Sequence, residues 1–148
     1  MPSYLDLLSK FVCETRLEDL QPSTLQAAKS VVLDTIGAML AGSRLPENGK
    51  LAQLAAKTGG LGPATLLGQS GSAPAVFAAL SNATAGVSLE MDEGNRLGGG
   101  HAAIHVVPAA LAIACEAVLH LSVASCRGIV IAAAATIAEP KAACLLAA

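Results

Sequence analysis

Proline and glycine punctuate this chain so regularly that they limit what it can fold into. Pro22 is followed by a proline-free run to Gly42 and Pro46 by a run to Gly59-Gly60, while Pro74 and Pro108 each precede a further apolar stretch. Proline belongs in the first turn of a helix, where its missing N–H costs nothing, and glycine just past the last turn. Segments bounded in that order read as helices. Inside the first of them Leu25, Ala28, Val32, Ile36 and Met39 recur on a single stripe, with Lys29 and Asp34 off it. That is the spacing of a helix and not of a strand.

The same reading extends along the chain. Ser3 caps a helix running to about Glu14, with Leu5, Leu8, Phe11 and Val12 on one face, before a polar break at Thr15 to Asp19. Leu51, Leu54, Ala55 and Thr58 keep helical spacing after Pro46. Between Gly62 and Gly71 the segment PATLLGQS is short, apolar and glycine-bounded, which predicts one short extended segment near 64–68. Ser72 and Pro74 launch a fourth helix to about Met91, with Val76, Leu80, Ala83, Val87 and Met91 facing inward. Pro108 is expected as the first residue of a fifth, Ala109 to about Leu121. The fold class that follows is all-α and bundle-like.

Composition decides how such helices pack. Aromatic residues are 2% of the 148 and Trp is absent, so a core must come from Ala, Leu, Val and Ile, whose small side chains favour close helix approach. A net charge of −2, with nine basic residues scattered, leaves no basic face for nucleic acid. Cys13, Cys115, Cys126 and Cys144 show neither CxxC nor CxxH spacing and no secretory leader precedes them. Reduced thiols in a cytoplasmic protein are the expectation, with no metal site and no disulfide framework. Mean hydropathy is +0.59, yet the most apolar window, Ala117 to Ala138, is interrupted by His120, Arg127 and Gly128. A membrane span is therefore not expected.

Chemistry concentrates between Asn82 and Ala114. Glu90, Asp92 and Glu93 fall within four positions, Gly98-Gly99-Gly100 follows, and His101 and His105 come next. Carboxylate and imidazole neighbours tune each other for proton transfer. A metal held by Glu90, Asp92, His101 and His105 is the competing reading. It weakens because Pro108 puts His105 at or before the helix start, so the two histidines share no helical face. Glu90 and Glu93 are expected as solvated loop carboxylates, and the triple glycine as a hinge. The Asn-x-Thr sequon at Asn82 is expected inside a helix, not as a glycan acceptor.

Three segments carry a family resemblance: AAKSVVLDTIGAMLAGS (Ala27 to Ser43), AVFAALSNATAGVSLEMDE (Ala75 to Glu93) and HAAIHVVPAALAIA (His101 to Ala114). The chain resembles the N-terminal part of the MmgE/PrpD family, which includes 2-methylcitrate dehydratase, cis-aconitate decarboxylase and iminodisuccinate epimerase. The family pattern is an Asn-bearing helix, an acidic turn, then a His-Pro dipeptide leading into a Val-Pro-Ala-Ala-Leu helix. Ala83 and Ser88 stand where the family often has Gly and His, and Ala102 replaces the Pro after the histidine.

The resemblance implies a mostly helical, incomplete first domain over residues 1–114. It implies a lyase or isomerase that abstracts a proton next to a carboxylate of a small polycarboxylate, without an obligatory redox cofactor. Dehydratase, decarboxylase and epimerase chemistries all follow that pattern. By position His101 and Asp92 correspond to the catalytic pair, and Asn95 to a substrate-contacting position. Arg96 is a candidate carboxylate ligand, because a guanidinium grips a carboxylate bidentately. Family members are generally homo-oligomers, usually dimers, and about three times longer, with later catalytic Lys, His and Tyr positions that have no counterpart here. From Cys115 the composition changes abruptly, so residues 115–148 are expected as an aberrant or divergent apolar tail of the kind a frameshift produces. The isolated chain is accordingly expected to be inactive, and the alternative is a non-catalytic helical module that pairs with a partner chain.

Overall fold

The computed structural model describes residues 3–94 and 99–120. Five α-helices account for most of them: α1 (Tyr4–Glu14), α2 (Pro22–Gly42), α3 (Pro46–Gly59), α4 (Ala75–Val87) and α5 (Ala102–His120). A short 3-10 turn at Leu17–Asp19 links α1 to α2. The all-α expectation holds, and the expected extended segment is β1 (Ala64–Thr65); it pairs antiparallel with an unexpected β2 (Ser72–Ala73), in the register Ala64 to Ala73 and Thr65 to Ser72, so that Ser72 lies in a strand and does not launch α4.

The predicted punctuation is found at several ends. Ser3 caps α1 in a reciprocal capping box with Asp6, each backbone N–H bonded to the other's side chain. Pro22 and Pro46 occupy the first turns of α2 and α3, and Gly60, at φ 76°, closes α3.

Helix α4 is the centre of the bundle and packs against α2, α3 and α5. Its buried face differs from the expected one. Val76, Leu80, Val87 and Met91 are 78%, 56%, 39% and 69% exposed, while Ala75, Ala78, Ser81, Asn82, Ala85 and Gly86 are buried. Proximity explains the inversion. A Cβ on Gly42 of α2 would overlap the Ala85 carbonyl, and one on Gly86 would meet the Ile104 side chain of α5. Helices this close admit only small residues between them, so the larger side chains of α4 are turned outward.

The start of α5 is a second correction. The helix begins at Ala102, six residues before Pro108, which lies inside it and is fully buried. An interior proline costs about 3 kcal/mol. Ala103, Ile104 and Val107 are each 2% exposed or less and pack against Met39, forming one of the two core clusters. At roughly 1.5–3 kcal/mol for each larger side chain, that burial outweighs the proline. The other cluster joins α3, α4, the small sheet and α5 through Ala52, Ala55, Leu66, Ala78 and Ala112.

Buried polar side chains fasten the connections. Asn82 Oδ1 accepts from the Leu67 N–H and its Nδ2 donates to the Thr65 carbonyl, both at 2.9 Å, so α4 holds the strand loop. As expected, Asn82 lies inside a helix, with its amide fully engaged. Asn48 Nδ2 donates to the Gly42 carbonyl and to Ser88 Oγ, each at 2.8 Å, drawing the ends of α2 and α4 to the start of α3. Among the described residues no helix is long and apolar enough to cross a membrane. Most of the apolar window discussed above lies outside the described residues.

Candidate active site

The site is built from the turn after α4 and the first turn of α5. Helix α4 ends at Val87, not near Met91, so the three carboxylates belong to the connection and not to a helix terminus. Glu90 has φ 51°, and its N–H donates to the Val87 carbonyl at 3.0 Å. A left-handed residue other than glycine is held there by its surroundings at a cost on the order of 1 kcal/mol, and such residues concentrate at functional sites. The reversal it makes brings Asp92 and Glu93 back toward α5.

Asp92 Oδ2 lies 3.1 Å from His101 Nδ1. The Asp92 side chain is 3% exposed, whereas that of His101 is 46% exposed. Among the described residues no donor is aligned on Oδ2 as a hydrogen bond, so the contact rests on proximity and charge. A buried carboxylate oxygen left without a hydrogen bond costs on the order of 1–3 kcal/mol. Catalytic hydrogen bonds are commonly poorly aligned before substrate binds and tighten afterwards. Two glycines with positive φ, Gly99 at 67° and Gly100 at 106°, lead directly into His101. A Cβ is itself strained in that backbone conformation, which accounts for glycine at both positions.

Glu93 is not a solvated loop carboxylate. Its Oε2 accepts the N–H of Ala103 at 3.1 Å, in the first turn of α5, and the residue is half-buried. Ala103 is 0% exposed, so water cannot satisfy that N–H. A second acid does the same for α4: Glu116 Oε1 accepts from the Ala75 N–H at 2.8 Å across the helix interface. Neither cap was anticipated. An acid embedded in the apolar run of α5 was the available signal for Glu116, but Glu93 had none separable from its acidic neighbours.

The structure therefore brings together Asp92 and His101 of the expected residues. Asn95 and Arg96, the expected substrate contacts, lie outside the described residues, as does Gly98. His105 is one turn into α5 and exposed, which overturns its expected place before the helix. Among the described residues no three of His, Cys, Asp and Glu assemble as a metal site. Cys13 is exposed and Cys115 half-buried, both as free thiols.

Comparison with known proteins agrees with this arrangement at the level of family. The model of the MmgE/PrpD N-terminal domain matches residues 6–139, continuing past Ala114. No curated protein and no solved structure matches. A match over this much of the sequence, on a helical bundle that joins the acidic turn to the histidine, means that the chain belongs to the MmgE/PrpD N-terminal domain family.

Proposed function

We propose that this domain supplies part of a site for proton abstraction next to a carboxylate of a small polycarboxylate, followed by loss of water or CO₂ or by return of the proton. The observation that carries the reading is the buried Asp92 carboxylate set 3.1 Å from a half-exposed His101 imidazole. Asp92 orients and charges the imidazole, and His101 moves the proton. The hydrogen next to a carboxylate is only weakly acidic, so cationic groups must also hold the substrate and the developing enolate charge. Arg96 is our candidate for one of them, with Asn95 as a polar contact. We place the protein in the cytoplasm, in keeping with the free thiols of Cys13 and Cys115, and as a homo-oligomer.

The test is a titration of the chain, labelled with ¹⁵N at histidine, with 2-methylcitrate, cis-aconitate and iminodisuccinate, using acetate as a control. Shifts at His101 with a polycarboxylate and not with acetate, lost in Arg96→Ala, are expected. Equal shifts with acetate, or none with any polycarboxylate, contradict the reading.

A second reading has its own observation. Leu25, Val32 and Ile36 of α2 face Val107 and Leu111 of α5 across an apolar groove of about 400 Å³, and the outer stripe of α4 is exposed. Exposed apolar surface of this kind suits a helical module that pairs with a partner chain. Co-purification of a second polypeptide, abolished by Leu80→Glu or Val32→Glu, is its expected result. A lone chain in every preparation contradicts it.

A further inference from the structure

We propose that Glu93 is a positioning residue for the His101 imidazole: by holding the first turn of α5, it sets Nδ1 against Asp92 and fixes which ring nitrogen carries the proton. The inference rests on the reading of His101 as the proton-transfer group. Asp92 and Glu93 are adjacent in one turn, yet they grip α5 at two points. Glu93 Oε2 takes the N–H of buried Ala103 at 3.1 Å, and Asp92 Oδ2 stands 3.1 Å from Nδ1 of His101, two residues earlier. Neither contact is independent of the other. A carboxylate on a first-turn N–H is favoured both as a charge-assisted hydrogen bond and by the helix dipole, so it fixes where α5 begins relative to the acidic turn.

His101 is the residue just before that start, reached through two left-handed glycines that exert no side-chain hold of their own. With Gly99 and Gly100 leaving the approach free, the Glu93 cap acts together with burial of Ala103 and Ile104 against Met39 to locate His101 from the α5 side. The consequence is chemical. Once the two groups align, a carboxylate at Nδ1 selects the Nδ1–H tautomer and leaves Nε2 with its lone pair as the proton acceptor. Without the cap, His101 reverts to the Nε2–H form that free imidazole prefers, and the acceptor is then turned toward Asp92.

The experiment is ¹⁵N NMR on the full chain labelled at histidine, at a pH where imidazole is neutral, with His101→Gln used for assignment. Wild-type His101 is expected to show a protonated Nδ1 and an unprotonated Nε2. Glu93→Ala inverts that pattern and speeds exchange of the Ala103 amide by on the order of tenfold. Glu93→Gln, whose amide oxygen still accepts from Ala103, retains both wild-type signatures. Asp92→Asn loses the tautomer preference but keeps the Ala103 protection, which gives a second arm should Glu93→Ala fail to fold. An Nε2–H wild type, an unchanged tautomer in Glu93→Ala, or an inverted one in Glu93→Gln overturns the proposal. None of these readouts requires substrate, so they stand apart from the polycarboxylate titration that tests the function.

Discussion

Asp92 and His101 meet with the acid buried and the imidazole half-open: Oδ2 and Nδ1 are 3.1 Å apart, with 3% and 46% of the respective side chains exposed. A carboxylate placed for folding alone would have aligned donors, and among the described residues Oδ2 has none. Asp92→Asn is therefore expected to leave the melting temperature unchanged or slightly raised, while abolishing the response of His101 to polycarboxylates. Thermal unfolding and the titration, run on the same variant, check the two halves. A loss of several kcal/mol would mark Asp92 as structural, since that is the range for breaking a buried ion pair, about 3–5 kcal/mol.

Asn82 makes the opposite case, a buried polar residue fully satisfied. It closes the loop between β1 and β2 onto α4 with two bonds of 2.9 Å, one as acceptor and one as donor. Asn82→Ala leaves a carbonyl and an N–H unpaired and is expected to cost about 2–4 kcal/mol, from 1–2 for each orphaned group. Asn82→Asp keeps the acceptor but sets a buried carboxylate oxygen against the Thr65 carbonyl, so its cost is expected to be at least as large. Urea unfolding with an unchanged m-value is the measurement.

Close approach of the helices predicts two unequal glycine effects. A Cβ at Gly42 meets the backbone carbonyl of Ala85, which cannot yield, so Gly42→Ala is expected to cost about 3 kcal/mol. At Gly86 the obstacle is the Cδ1 end of Ile104. Gly86→Ala is expected to cost about 1 kcal/mol, and Ile104→Val, which removes that methyl, reduces the cost in a double-mutant cycle. Simple additivity at Gly86 and Ile104 contradicts the packing described.

Acid should loosen α1 before the bundle. Asp6 is held below the ordinary value of 3.8, first by the Ser3 backbone N–H at 2.8 Å and then by the Ser3 hydroxyl. A depressed folded-state value means that the contribution is present above pH 3.8 and is lost as pH falls through the lowered value. The protection of the Asp6 amide, corrected for the intrinsic pH dependence of exchange, should therefore fall in that window in wild type and stay low throughout in Asp6→Asn.

How much of this was legible depended on the range of the cause. Ser3, Pro22, Pro46 and Gly60 act through local backbone chemistry, so the ends they set were readable from residue type and spacing. The buried face of α4 was not. Val76 and Leu80 look like core by hydropathy, but Gly42 and Gly86 bring neighbouring backbones too near for them, a fact set by partners distant in sequence. Pro108 misled for the same reason, because burial of Ile104 and Val107 extends α5 past a residue that would otherwise start it. That Asp92 and His101 come together could be expected from their spacing and from the family likeness, while the Glu93 cap needed a three-dimensional position for Ala103.

The most direct test of the account follows His101 during addition of small polycarboxylates, in wild type and in Asp92→Asn. The account predicts that 2-methylcitrate, cis-aconitate or iminodisuccinate perturbs the His101 ring nitrogens in wild type, leaves exposed His105 unmoved, and loses its effect in Asp92→Asn. Equal perturbation of His101 and His105, or an undiminished response in Asp92→Asn, would contradict it.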